Sequence, residues 1–149
     1  MIYGSVVPGG QVDVYWPQVK HWIEKSIVKS KSYDTIEELH DYVKNNYPEF
    51  MLVIFLEKGQ MLGATIFQED EDTLNCVAIG GENLLKHSKR LMTIWRGIAK
   101  SLSLPGIKLT GRPGWGRVYK NELIKYGDYY HGRSIGKQTK VCKRKQVCF

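Results

Sequence analysis

Three short apolar runs in the middle of the chain, separated by polar turns, constrain the fold more than any other feature. The runs are Met51–Leu56, Met61–Gln68 and Thr73–Ile79, each of a length typical of β-strands. Glu57–Gln60 contains a glycine and returns the first run onto the second, and Glu69–Asp72 is an acidic, solvated turn. The pattern predicts a three-stranded antiparallel meander whose first strand is buried.

The residues before the meander predict a short lead-in and a first helix. Met1–Gly10 contains proline and glycine and is typical of an irregular arm. Val12–Tyr15 is predicted to form a short strand. Pro17 suits the first turn of a helix, after which apolar residues recur at helical spacing from Val19 to Ile27.

Two further helices flank the meander. One is predicted from Ile36 to Val43, with Asp34 or Thr35 as its N-cap. Gly80-Gly81 ends the third strand, and a long amphipathic helix is then predicted from Glu82 to Leu102.

The region after the long helix reads as the back half of an α/β unit. Ile107–Leu109 is a short strand, the glycine-rich turn Gly111–Val118 follows, and a helix is predicted over Val118–Lys125. Tyr129–Ile135 and Thr139–Val147 are predicted as the last two strands. The basic character of the second suits an edge position.

These elements give the order (β)ααβββαβαβ(β). It predicts one α/β domain with a mixed, mostly antiparallel sheet flanked by helices. We place an N-terminal arm at 1–11, the domain at 12–136 and a basic C-terminal extension at 137–149. No apolar run reaches the roughly 18–20 residues that span a bilayer. The start lacks a signal-peptide pattern, so we expect a soluble, cytoplasmic protein without membrane contact.

The net charge of +7 is concentrated at the end of the chain. The segment from Arg133 to Phe149 contains no acid, and its basic residues include Lys140, Lys143, Arg144 and Lys145. Such an arm usually contacts phosphates or an acidic protein surface, and the alternative is a tail that only aids solubility.

The three cysteines match no metal-ligand spacing, so no metal site is predicted. Cys76 lies in an apolar run and is predicted to be a buried thiol. Cys142 and Cys148 are expected to be free thiols in a reducing compartment.

Several features of the element order carry a family resemblance. Two helices follow a first strand, Gly63 lies early in the middle strand of the meander, and Gly80-Gly81 precede the long helix. Asn121–Tyr130 closes a helix in a Tyr-Gly step. Over residues 12–136 these features resemble the GNAT (N-acetyltransferase) superfamily, which implies a GNAT-like fold.

The turn Gly111–Val118, with the sequence G-R-P-G-W-G-R-V, carries a narrower resemblance. It is similar to the G-R-x-G-W-x-R-V motif of small GNAT-like proteins of tailed bacteriophages, several of which are virion or assembly proteins. The resemblance implies a structural or assembly protein that uses a degenerate fold for protein interaction, without enzymatic activity or cofactor. Its implied partners are other virion or assembly proteins, with several copies per particle. Its implied location is the host cytoplasm during assembly, and then the virion.

The alternative implied by the GNAT resemblance is an acetyl-coenzyme A-dependent N-acetyltransferase. Gly80 and Gly81 then match the loop that binds the coenzyme pyrophosphate, although the family's leading Arg or Gln and its Gly-x-Gly spacing are missing. Glu82 would lie beside the phosphates, which predicts poor coenzyme binding, and we interpret it as a first-turn acid of the long helix. By position Tyr119 or Tyr126 could act as the general acid, and packing is the alternative role for both.

Arg112, Trp115 and Arg117 are the predicted interaction residues of the glycine-rich turn, since tryptophan and arginine often anchor interfaces. In the alternative interpretation Trp115 plugs the core. A third hypothesis is a nucleic-acid-binding module, in which Trp115 stacks on a base and the basic tail contacts DNA.

Overall fold

The computed structural model describes residues 1–30, 34–110, 124–126 and 129–133. Its helices are α1 (Val12–Ser30), α2 (Ile36–Asn45) and α3 (Ser88–Ser101). Its strands are β1 (Tyr3–Val7), β2 (Phe50–Glu57), β3 (Gln60–Asp70), β4 (Thr73–Gly81), β5 (Gly106–Thr110), β6 (Ile124–Tyr126) and β7 (Tyr129–Arg133). None of the helices in these ranges has the length and apolar character needed to cross a membrane.

The described strands form one sheet in the order β1-β2-β3-β4-β5-β7-β6. β4 and β5 pair in parallel, and the other neighbouring strands of this part of the chain pair antiparallel. The predicted meander is confirmed as β2, β3 and β4. The predicted mixed, mostly antiparallel sheet with flanking helices is also confirmed.

The two faces of the sheet carry separate hydrophobic cores. α1 and α2 pack on one face, where Val19, Ile23 and Leu39 are fully buried against side chains of β2 and β3. α3 packs on the other face through Leu91 and Trp95. Each helix therefore stabilises the sheet by burying one apolar stripe.

The chain before α1 differs from the prediction. Tyr3–Val7, predicted as part of an irregular arm, is strand β1 and pairs antiparallel with β2. The predicted strand at Val12–Tyr15 is wrong, because these residues open α1, and Pro17 lies inside that helix. Val12, Trp16 and Val19 are buried, which is the spacing of a helix face.

A polar cluster joins α1 to α2 at the surface. Asp13 on α1 lies 2.8 Å from His40 Nε2 and 2.7 Å from Lys44 Nζ, both on α2. The His40 ring stacks on Trp16 with ring centroids 4.5 Å apart. Hydrogen bonds from Lys44 and then His40 hold the pKa of Asp13 below its ordinary value. α2 itself begins with a capping box between Thr35 and Glu38, so Thr35 is the N-cap.

The end of the described chain corrects one helix prediction. Ile124 and Lys125, predicted as the last residues of a helix over Val118–Lys125, lie in β6 and pair with His131 and Tyr130. Pairing with β7 holds them extended, which overrides local helix preference. The predicted strand from Tyr129 is confirmed over β7. Residues 118–123, the strand Thr139–Val147 and the extension 137–149 lie outside the described residues.

Candidate functional site

The sheet opens between β4 and β5. Their parallel pairing begins at Thr73 with Gly106 and ends at Cys76 with Leu109. β4 nevertheless continues to Gly81. Beyond Cys76 the β4 edge therefore has no β5 partner in the described part of the chain, and such an edge presents backbone donors and acceptors to a ligand.

A β-bulge in β4 lies where this opening starts. Ile66 pairs with Ala78 and Phe67 with Cys76, which leaves Val77 as the extra residue. The bulge changes the alternation of the strand, because Cys76 faces the α3 core, Ala78 faces the α1 core and Ile79 faces the α3 core again. A bulge re-aims side chains in this way and is common beside active sites.

Thr65 of β3 stabilises the bulged segment. Its hydroxyl is fully buried and donates a 2.7 Å hydrogen bond to the Ala78 carbonyl. The same oxygen lies 3.4 Å from Cys76 Sγ. One buried side chain thus contacts the strand on both sides of Val77.

Helix α1 closes over the far half of β4. The Ile79 N–H, which lies beyond the β4–β5 pairing, donates a 3.1 Å hydrogen bond to Ser26 Oγ on α1. Ser26 is only 4% exposed. At Gly80 an added Cβ would lie 2.5 Å from the Trp22 carbonyl oxygen, so the helix backbone rests directly on the strand.

Gly81 is equally constrained at the end of β4. An added Cβ there would lie 2.4 Å from the Leu62 carbonyl oxygen of β3, which also accepts a 2.8 Å hydrogen bond from Glu82 N–H. Packing therefore accounts for both glycines of the predicted pyrophosphate loop. A 3-10 turn at Leu84–His87 then leads into α3.

The start of α3 corrects the interpretation of Glu82. α3 begins at Ser88, so Glu82 is not in its first turn, which contains no acid. The N-cap His87 makes no capping hydrogen bond through its side chain. Lys86 and Lys89 are exposed beside this end of the helix. The positive end of the α3 dipole is thus flanked by positive side chains, an arrangement that favours an anion.

An apolar pocket lies under α3 at the point where β4 and β5 diverge, and we call it the α3 pocket. It is lined by Phe55, Phe67, Cys76, Ile79, Leu91, Trp95 and Leu109. The predicted buried thiol of Cys76 is confirmed, and burial raises its pKa to about 12. Cys76 is therefore a neutral wall of the pocket and not a nucleophile.

Most of the predicted site residues fall outside the described ranges. These are Tyr119, the turn residues Arg112, Trp115 and Arg117, and the tail residues Lys140, Lys143, Arg144 and Lys145. Tyr126 lies in β6, opposite Tyr129. The roles proposed for these side chains stay predictions. In the described residues, no group of three His, Cys, Asp or Glu side chains is placed to hold a metal ion.

Ser26, Thr65 and Val77 shape the opening, and the sequence analysis did not assign them to a site. Ser26 carried the only available signal, a hydroxyl among the apolar residues of the α1 face that runs from Val19 to Ile27. Val77 and Thr65 are ordinary strand residues, and their roles depend on the register between β3 and β4.

The fold is that of GNAT acetyltransferases. A probable acetyltransferase from Staphylococcus epidermidis has a TM-score of 0.63 at 9% identity, covering 91% of this chain and 100% of that one. A GNAT-family acetyltransferase from Staphylococcus aureus has a TM-score of 0.61 at 11% identity, with 91% and 100% covered. PaiA N-acetyltransferase from Thermoplasma acidophilum, solved in complex with coenzyme A, has a TM-score of 0.56 at 10% identity, with 89% and 99% covered. No protein-family model and no curated protein matches the sequence.

These comparisons overturn the main functional prediction. A bacteriophage structural or assembly protein without cofactor is wrong, because the solved structures that share this fold are acetyltransferases, some of them coenzyme A complexes. They favour the alternative, an acetyl-coenzyme A-dependent enzyme. The narrower resemblance through the Gly111–Val118 turn stays a prediction, since that turn lies outside the described residues.

Proposed function

We propose that this protein is an N-acetyltransferase that uses acetyl-coenzyme A to modify an amine. The observation that carries the proposal is the β4–β5 pairing that stops at Cys76 and Leu109 while β4 continues to Gly81. The edge left beyond Cys76 can accept an extended ligand in the place of a neighbouring strand. A structure with the same fold, PaiA N-acetyltransferase, was solved with coenzyme A.

The residues at the start of α3 suit the anionic end of that ligand. The first turn has no acid that would neutralise the helix dipole, and Lys86 and Lys89 add positive charge there. Backbone N–H groups at the helix start would hold the pyrophosphate, as they hold phosphates in other proteins. Bound acetyl-coenzyme A would supply the acyl group as a thioester.

Proton transfer in such a reaction needs a base for the amine and an acid for the leaving group. Tyr119 and Tyr126 are our candidates for the acid, and a hydroxyl on either must come within hydrogen-bond reach of the reacting atoms. The described residues offer no clear base. The Cys76 thiol, with a pKa of about 12, does not serve as one.

Calorimetric titration with acetyl-coenzyme A tests the proposal. Lys89→Glu adds an acid to the first turn of α3, which favours helix stability, so weaker binding would not reflect unfolding. We expect this variant to bind about three- to thirtyfold more weakly, from reversing one charge near the phosphates. Lys100→Glu, in the last turn of the same helix, is the matched control and should bind like the wild type. The proposal fails if the wild type does not bind, or if both variants bind equally.

A product assay tests the transfer itself. Purified protein, acetyl-coenzyme A and a mixture of small amines and lysine-containing peptides are incubated, and acetylated products are identified by mass spectrometry. Amide products that require the protein support an N-acetyltransferase. Hydrolysis of the thioester without any amide would contradict it.

A further inference from the structure

We propose that the α3 pocket selects the acyl group, admitting a methyl-sized one and excluding longer or charged ones. This inference rests on the proposed function and adds the class of acyl donor. Leu91 and Trp95 of α3 are the residues that set the limit.

The position of the pocket supports this role. Cys76 and Leu109 form the last β4–β5 pair and also line the pocket, and Ile79 lines it from beyond the bulge. A ligand extended along the β4 edge cannot pass this pair, because the two strands close there. Its terminal group must leave the plane of the sheet, and the pocket opens on the α3 face at that point.

The size and lining of the pocket define what it accepts. Its volume is about 20 Å³, and roughly 10–15 Å³ holds one water molecule, so one methyl-sized group fits. The lining consists of aliphatic and aromatic side chains and the Cys76 thiol. It has no cation to receive the carboxylate of a succinyl or malonyl group, and burying that charge without a partner is strongly unfavourable.

The inner wall of the pocket is held in place. Trp95 Nε1 donates a 3.0 Å hydrogen bond to the Leu74 carbonyl, and the Trp95 ring lies 6.0 Å from the Phe67 ring in a stacked arrangement. Leu91, one turn earlier on α3, is 4% exposed and purely aliphatic. It can be shortened without removing a hydrogen bond, which makes it the position at which to enlarge the pocket.

The test is calorimetric titration of the whole protein with coenzyme A and with its acetyl, propionyl, butyryl and succinyl thioesters. We expect the wild type to prefer acetyl over butyryl and succinyl by about tenfold or more. Leu91→Ala should raise butyryl affinity about tenfold relative to acetyl, since two methylenes gain an apolar site. Leu39→Ala, a fully buried leucine of the opposite core, is the control and should leave the preference unchanged.

The outcomes separate this inference from the proposed function. Binding of coenzyme A with equal affinity for all thioesters overturns the acyl selection and leaves the enzyme proposal standing. Absence of binding by every ligand overturns both. If Leu91→Ala does not fold, Leu91→Val removes less volume and should raise propionyl affinity relative to acetyl, and an unchanged ratio counts against the inference.

Discussion

Ser26 on α1 and Ile79 on β4, 53 residues apart in the chain, are joined by a 3.1 Å hydrogen bond from the Ile79 N–H to the Ser26 hydroxyl. The bond lies where β4 has already left β5, so a helix side chain takes the place of a strand neighbour. It satisfies a buried backbone donor that would otherwise be costly.

Ser26→Ala should destabilise the protein by about 1–3 kcal/mol, because the Ile79 N–H loses its acceptor in a buried place. The free energy of unfolding in urea measures this. Ser5→Ala, at an exposed position of β1, is the control and should change stability by less than about 0.5 kcal/mol. Equal effects of the two substitutions would show that the bond contributes nothing.

Gly80→Ala should destabilise the protein by about 1–3 kcal/mol, because the new Cβ would lie 2.5 Å from the Trp22 carbonyl oxygen. The same change at Gly97 should stabilise it by roughly 0.5–1 kcal/mol. Gly97 lies within α3, and its Cβ would have nothing within 4 Å. Thermal unfolding of the two variants should therefore shift in opposite directions, and a shift in the same direction would contradict the packing of α1 on β4.

The Asp13 cluster predicts a pH-dependent contribution to stability. The folded pKa of Asp13 is lowered, chiefly by its hydrogen bond with Lys44, so the stabilisation is complete well above the unfolded pKa of about 3.9. It is lost as pH falls through that value and on through the folded pKa. Asp13→Asn should thus lower the unfolding free energy at pH 7 and converge with the wild type in stronger acid.

Lys44→Met provides the companion measurement for Asp13, because it removes the largest cause of the lowered pKa. Urea unfolding of this variant between pH 2 and 7 should show a smaller loss of stability in acid than the wild type shows. An unchanged pH profile would mean that the Asp13–Lys44 pair is not formed in solution.

Cys76 should resist alkylation in the folded protein. Its thiol is buried and its pKa is about 12, so almost none is thiolate at pH 8. Iodoacetamide followed by peptide mass spectrometry should label the Cys76 peptide slowly in native protein and fully after unfolding in guanidinium. Equal labelling rates in both states would contradict the burial of the α3 pocket wall.

Local sequence patterns predicted the elements whose structure is determined locally. The meander strands carry their own apolar runs and turns, and the start of α2 carries a capping residue at Thr35 with its partner Glu38. The pattern at Val12–Tyr15 was ambiguous, because Val12, Trp16 and Val19 also fit a helix face. Tyr3–Val7 is extended because it pairs with β2, and no local signal announces that partner.

The candidate site was less predictable than the fold because it depends on register. Gly80 and Gly81 were recognised, yet their requirement for glycine comes from the Trp22 and Leu62 carbonyls, which are distant in sequence. Glu82 was assigned to a helix start because acids favour that position, but the 3-10 turn at Leu84–His87 delays α3. Where chains fold back on one another, composition alone does not reveal which atoms meet.

The extra residue at Val77 makes residue counting along β4 a structural requirement. Deleting one residue there would exchange the faces of everything that follows, so Gly80 would no longer meet Trp22 and Ile79 would leave the α3 pocket. A chimera that replaces this strand with one from a related fold must therefore match the length of the segment from Cys76 to Gly81 before it matches any side chain.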